Sequence, residues 1–332
     1  MKKILNDPYA YVDETLEGLC LAFPQYYERA GGGGRVIKRP GPARQGKVGV
    51  ISGGGSGHLP VFTGYVGKGL LDACAIGEVF ASPSVEQMVD AMRAANGGAG
   101  VLRLYGNYGG DVMNFDMAGE MMEMEDVPST TVKLADDVAS APPAEAEKRR
   151  GVAGMVFAFK IAGAAAEEGK DLAEVTRIAQ AAADACRTAG VALTPCTVPQ
   201  AGKPTFSIAE DEMEIGMGIH GEPGVRRGKL MPADAIAKEM LDMLLTDRPI
   251  GSGDRVSVLV NSLGGTPPEE LCILYRTVHA RLTGLGASIV MPLVGRYACS
   301  MEMSGVSFTI IKLDEELERL LKAPADCAFW RV

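Results

Sequence analysis

Three residues in this chain stand where side chains can do chemistry on a small ligand. The chain has only three histidines, and two of them sit inside glycine clusters. His58 closes the run Gly53, Gly54, Gly55, Ser56, Gly57, directly after a β-branched stretch. His220 lies in the run Gly216, Met217, Gly218, Ile219, His220, Gly221, Glu222, Pro223, Gly224. A histidine with glycine around it packs poorly in a core and suits a loop that a ligand must reach. The third residue is Asp111, the single acid in the loop Gly106, Asn107, Tyr108, Gly109, Gly110, Asp111. Two imidazoles and a carboxylate fit acid–base or nucleophilic work on a small polar substrate. Plainer readings remain open. The first cluster also fits a tight strand-to-helix turn, and Asp111 also fits a helix N-cap, where Asp accepts backbone N–H bonds. His279 falls on a helical run and reads as structural.

These loops need elements to position them. Lys47 to Ser52 reads as a buried strand ending in the first glycine loop, and Ser84 to Ala95 as a helix. Val101 to Tyr105 reads as a strand before the second loop, with a Met-rich helix after it. Residues 152–168 and 171–189 have helical spacing and much alanine. Residues 194–204 are punctuated by proline and read as a junction. Beyond them 256–260, 288–291 and 307–311 read as strands, and 268–280 and 314–322 as helices. Such alternation predicts α/β architecture with sites in loops at strand ends. It predicts two α/β domains, each a sheet flanked by helices. The first, 1–183, carries the GGGSGH and GNYGGD loops, and the second, 184–332, carries GIHGEPG. The GGGG run at 31–34 reads as a flexible loop.

Bulk properties narrow the function. The 332 residues carry a formal charge of −9, which disfavours nucleic acid and anionic membrane as partners. No apolar run approaches the roughly 18–20 residues that span a bilayer, and the first residues lack a secretory pattern. Seven cysteines without a CxxC pair fit a reduced cytoplasm better than a disulfide framework or a zinc site, so no metal is expected. No nucleotide loop is complete. The dinucleotide pattern GxGxxG fails at His58. A partial P-loop over Gly41, Gly46 and Lys47 has Val48 where Ser or Thr would hold magnesium, and it precedes a strand instead of following one.

Taken together, several segments resemble the K-domain family of dihydroxyacetone kinases, nearly end to end. They are MKKILNDPYAYVDETLEG, ISGGGSGHLP, GEVFASPS, GNYGGDVMNFDMAGE, LADDVAS, RRGVAGMVFAFKIAGAAAEEG, VLVNSLGGTPPEEL and MEMSGVSFTIIKLDEEL. The most specific is TPCTVPQAGKPTFSIAEDEMEIGMGIHGEPG. The resemblance implies that His220 binds a short ketose covalently, as a hemiaminal between an imidazole nitrogen and the carbonyl carbon. It implies that Asp111 takes the proton of the attacking hydroxyl and that His58 hydrogen-bonds the substrate. Gly55, Gly57, Phe80, Ser82 and Gly110 fall at positions resembling substrate contacts. In the family the nucleotide sits on a separate helical L domain, so no cofactor is expected on this chain. Mg-ATP, or Mg-ADP recharged by a phosphotransferase-system protein, belongs to an L subunit, expected as a separate polypeptide because the chain ends just after the K domain. A homodimer in the cytoplasm is implied as well.

Three positions depart from the family pattern. Leu59 stands where many members have Glu, Gly106 where many have Lys, and Phe159 where His is common. Two other functions are weighed beside the kinase subunit. One is a non-catalytic K-like ketose sensor serving a transcriptional regulator, which would need binding but not both His58 and Asp111. The other is a structural or lipid-binding α/β protein. Within the kinase reading, the departures at Leu59 and Gly106 leave a four-carbon ketose such as erythrulose as an alternative substrate.

Overall fold

The structure, a computed structural model, describes residues 2–332. It divides into two compact units. One comprises 1–133, 158–182 and 319–332, and the other 134–157 and 183–318. The chain therefore passes between units at several points, the one near 182 among them. Each unit is a sheet with helices against it.

The first unit holds a six-stranded sheet in the order Glu28–Ala30, Val36–Lys38, Ala73–Val79, Gly49–Ser56, Val101–Gly106, Ser129–Leu134. Gly49–Ser56 runs parallel to both of its neighbours, with Ile51 opposite Ala73 and Val50 opposite Leu102. A central parallel strand is covered on both faces, which accounts for the uninterrupted apolar run Val48, Val50, Ile51. The strand does not stop at Ser52 as the sequence suggests: Gly53, Gly54, Gly55 and Ser56 continue it. Close neighbours explain the glycines. A Cβ on Gly53 would come 2.9 Å from the Ala75 carbonyl oxygen, and one on Gly55 would come 2.6 Å from the Ala81 nitrogen.

Helix Val85–Ala95 starts where the sequence places it. Ser84 caps it by accepting from the Gln87 N–H at 3.2 Å, while the Ser84 N–H donates to Gln87 Oε1 at 2.8 Å. Its Met88, Val89 and Met92 are buried with Ile51 and Ala75 of the sheet. Helix Gly109–Glu123 buries Phe115, Ala118 and Met122, and Phe115 stacks on Tyr105 with centroids 4.2 Å apart. The GGGG run is a tied turn: Gly31 and Gly34 have left-handed φ, and the Gly32 N–H donates to Asp90 at 3.2 Å.

The second unit holds a seven-stranded sheet. Its order is Arg226–Lys229, Glu212–Ile215, Cys186–Thr194, Ser304–Leu313, Arg255–Ser262, Ser288–Ile289, with Leu293–Gly295 also beside Arg255–Ser262. Ser304–Leu313 is antiparallel to both neighbours, whereas Arg255–Ser262 is parallel to the two short strands. Helices Ala233–Asp247 and Pro268–Gly284 put Met240, Leu241, Leu271 and Val278 into one core with Val191, Ile215, Val258 and Phe308 of the sheet.

Two expectations are corrected here. The helical pattern over 171–189 stops at Ala185, and Cys186–Thr194 is a strand. The β-branched Thr188 and Val191 around Gly190 suit a sheet centre better than a helix. The proline-rich stretch 194–204 is no junction, because it lies wholly inside the second unit. It is tied there by a bridge between Thr197 and Pro204 and by the Thr197 N–H donating to Glu302 at 2.9 Å.

Candidate active site

In the first unit, seven of the eight candidate residues fall on three adjoining segments. The glycine strand is followed by Gly57, whose φ of 103° is open to glycine and strained for other residues. That turn delivers His58, which is 2% exposed, to the ring of Phe80 at 4.9 Å and an interplanar angle of 25°. Phe80 itself has φ 57°, rare for a bulky residue. The segment is held in that conformation: the Phe80 N–H donates to Ser56 O at 3.0 Å, the Ala81 N–H donates to Glu78 O at 3.1 Å, and Gly55 leaves room beneath its backbone.

Two residues on, the Ser82 hydroxyl donates to Asp111 Oδ1 at 2.7 Å. Asn114 braces this corner by donating to the Pro83 carbonyl at 2.8 Å. Gly110 faces the same serine, since a Cβ there would lie 3.3 Å from Ser82 Cβ. Asp111 is the third residue of helix Gly109–Glu123, not its cap, a position held by Tyr108. A cleft of about 460 Å³ opens beside Ser82 and Gly77, with Arg35 and Glu78 on its wall.

His220 belongs to the second unit. Its loop is held by many bonds. The Ser300 hydroxyl donates to the Ile219 carbonyl, the Gly221 N–H donates to Gly218 O at 3.0 Å, and the Gly224 N–H donates to Glu214 at 2.7 Å. Glu222 grips the histidine twice. Its Oε2 accepts the His220 backbone N–H at 2.9 Å, and its Oε1 lies 3.0 Å from the ring Nδ1. Burial alone would raise the Glu222 carboxyl, but the bonds and charge of His220 bring it down to about 2. An ionised Glu222 is an acceptor, so Nδ1 holds a proton, and whenever the ring is neutral its lone pair is on Nε2. The His220 side chain is 23% exposed, so the ring is reachable. A groove of this unit, about 680 Å³, is lined by residues such as Arg149, Glu239 and Asp242 and includes none of the loop residues.

The departures fall at different depths. Leu59 is half-buried beside His58, Gly106 is buried at the end of its strand, and Phe159 is wholly inside the core, 6.1 Å from the Tyr65 ring. His279 is exposed on helix Pro268–Gly284. Among the described residues, no group of three or more His, Cys, Asp or Glu is placed to hold a metal ion, and no helix is long and apolar enough to cross a membrane. Sequence reasoning assigned no role to Glu222, Asn114 or Ser300. The spacing His-x-Glu inside a glycine loop was the available signal for the first; the other two are distant in sequence and gave none.

The family described as the Dak1 domain matches residues 17–329. The chain is 44% identical over 331 residues to a protein of Listeria innocua, covering 99% of this chain and 100% of that one. That relative is named the dihydroxyacetone-binding subunit DhaK of PTS-dependent dihydroxyacetone kinase 1. It is 45% identical over 326 residues to a D-erythrulose kinase of Mycolicibacterium smegmatis, covering 98% of this chain but 56% of that enzyme. Among solved structures, the dihydroxyacetone kinase of C. freundii, in complex with AMP-PNP and Mg²⁺, superposes with a TM-score of 0.91 at 33% identity. The match covers 99% of this chain and 61% of that one.

Proposed function

This chain belongs to the Dak1-domain family of dihydroxyacetone-type kinase subunits, and from that premise we propose that it binds a short ketose covalently on His220 and presents a hydroxyl of that ketose for phosphorylation. The observation that carries the proposal is the His220 Nδ1 to Glu222 Oε1 bond at 3.0 Å, because it makes Nε2 the nucleophile. The Nε2 lone pair forms the new bond to the ketone carbon as the C=O π pair moves onto oxygen, which takes a proton from solvent. The imidazolium so formed keeps its Nδ1 proton on the Glu222 carboxylate. An alcohol such as glycerol has no carbonyl and is rejected.

The Ser82–Asp111 pair supports a catalytic role over a sensor role, since adduct formation alone has no use for a general base. Asp111 takes the proton of the ketose hydroxyl as its oxygen attacks the phosphorus of the donor. His58, held on Phe80, hydrogen-bonds the ketose, and Gly55, Gly57, Phe80, Ser82 and Gly110 shape its surroundings. Phosphoryl transfer needs positioning and charge stabilisation above all. The donor, ATP or a nucleotide recharged by a phosphotransferase-system protein, is held by a partner L subunit. The chain works in the cytoplasm as a homodimer.

The test is the carbon spectrum of dihydroxyacetone labelled with ¹³C at its carbonyl and mixed with the protein. A tetrahedral-carbon resonance, lost in His220→Asn, is expected. Saturable binding with an unchanged carbonyl resonance overturns the covalent reading.

A further inference from the structure

Arg150 is remote from His220 in sequence and plays no part in the chemistry above. Its guanidinium nevertheless reaches the histidine loop. Nη2 donates to the Gly216 carbonyl at 2.8 Å, at the loop's first residue, and Nη1 stands 4.0 Å from Glu222 Oε2. That Oε2 is the oxygen that accepts the His220 backbone N–H. The arginine is itself anchored. Nε donates to Asp137 Oδ2 at 2.9 Å, and Nη2 lies 2.7 Å from the same oxygen. The two backbones are tied as well, the Asp137 N–H donating to the Arg150 carbonyl at 3.1 Å. A side chain 15% exposed thus donates to two acceptors and stands 4.0 Å from a third, charged one, all from one rigid fork, a geometry that lysine cannot reproduce.

The surroundings leave few other uses for this arginine. Asp137 is the anion that balances it, and it also accepts the Ala139 N–H at 3.1 Å. Asp136, next in the chain, is turned to other partners: the Thr188 hydroxyl and the N–H groups of Val152 and Gly154. Glu214 pairs with Arg227. Glu222 is the remaining acid beside Arg150, and the gap between them is closed to side chains. A Cβ on Gly218 would strike both Glu222 Oε2 and Arg150 Nη1. Glycine at 218 therefore serves the approach of these two charged groups.

We propose that Arg150, fixed by Asp137, is a positioning residue for His220. It holds Glu222 and the Gly216 carbonyl in place and thereby sets the ring orientation and tautomer that make Nε2 the nucleophile. The inference rests on the covalent reading for its consequence but not for its geometry, so the two can fail separately.

The experiment uses the full chain with uniform ¹⁵N labelling, Arg150→Gln, Arg150→Lys and Gly218→Ala variants, and His220→Asn to assign the ring signals. The first readout is the tautomer of His220 without ketose. Wild type is expected to carry the proton on Nδ1, and Arg150→Gln to show a mixture. The second readout is affinity for carbonyl-labelled dihydroxyacetone. A loss of about tenfold or more is expected for Arg150→Gln, the size of one charge-assisted bond. With the cognate L subunit, KM should rise by more than kcat falls. Arg150→Lys keeps the charge but not the fork and should fall between wild type and Arg150→Gln. Gly218→Ala, which keeps the arginine in the sequence but forces its guanidinium and Glu222 apart, should reproduce the mixed tautomer and serves if Arg150→Gln does not fold. A wild-type tautomer together with affinity within twofold in folded Arg150→Gln overturns the proposal. Should wild type form no adduct, the covalent reading fails, while the tautomer comparison still decides the role of Arg150.

Discussion

The Ser82 hydroxyl donates to Asp111 Oδ1 at 2.7 Å, joining the loop after one strand to the first turn of the helix after another. The bond fixes the orientation of the carboxylate relative to Ser82, which itself lines a cleft. It also directs the serine hydroxyl to Asp111, so on the proposed reading Ser82 would support the base.

Asp111→Asn should therefore lower turnover by on the order of 100- to 10,000-fold, the usual worth of a general base. Ketose binding should persist. Ser82→Ala should cost less, about tenfold, because the carboxylate remains and only its orientation suffers. Steady-state rates with the L subunit, beside ¹³C-detected ketose binding, separate the two effects. Near-normal turnover in Asp111→Asn would reduce this residue to part of a helix terminus and favour the sensor reading.

Gly55→Ala should damage the site through backbone crowding alone. The added methyl would stand 2.6 Å from the Ala81 nitrogen and 2.8 Å from Phe80 Cα, so the segment bearing Phe80 and Ser82 must move. A stability loss of about 1–3 kcal/mol is expected, as for overpacking elsewhere. Turnover should drop at least as much as in Ser82→Ala. Gly32→Ala, where nothing lies within 4 Å, is the control and should be neutral. Equal behaviour of the two variants in melting and rate assays would show that the strand tolerates a side chain at 55.

Lys160 predicts an unusual pH dependence of stability. Its Nζ is buried, donating to the Leu320 carbonyl at 2.7 Å, and burial pulls the ammonium down from 10.5 to about 8 against the opposing charge of Glu168. Below about pH 8 both folded and unfolded chains hold the proton, and the folded one bears the cost of a buried charge. Between about 8 and 10.5 the folded chain has released the proton while the unfolded chain keeps it, so stability rises with pH. Lys160→Met should remove this rise, which is on the order of a few kcal/mol. Urea denaturation of both proteins from pH 7 to 10 measures it; parallel curves would contradict the assignment.

The ketose itself is predicted to be larger than dihydroxyacetone. Gly106 is buried at the end of the strand leading to Asp111, and Leu59 is half-buried next to His58. At these two positions the chain offers no side chain at Gly106 and an apolar one at Leu59. On the proposed reading, these two positions would favour a ketose with an added hydroxymethyl group. Catalytic efficiencies for dihydroxyacetone and both erythrulose enantiomers, with the cognate L subunit, are the test. A tenfold advantage for dihydroxyacetone, about 1.4 kcal/mol of transition-state preference, would sink the idea.

By itself the sequence determined which residues could do chemistry and which elements would carry them. His58, Asp111 and His220 announce themselves because glycine clusters around a polar residue have little use in a core. The strands near 49 and 101 and the capped helix from 85 are legible because periodicity and capping act over a few residues. The tertiary structure alone decided how far the glycine strand runs, since Gly53 and Gly55 answer to neighbours at Ala75 and Ala81. It alone ended the 172–185 helix in favour of a strand, because Cys186–Thr194 finds partners on both edges. The pairings Ser82 with Asp111, 29 residues apart, and Arg150 with Gly216, 66 apart, depend on which segments the folded chain sets side by side. Local pattern carries no record of that order, because each segment's own propensities are satisfied equally well in many arrangements. Burial against particular neighbours selects the one in which Ser82 meets Asp111 and Arg150 meets the histidine loop.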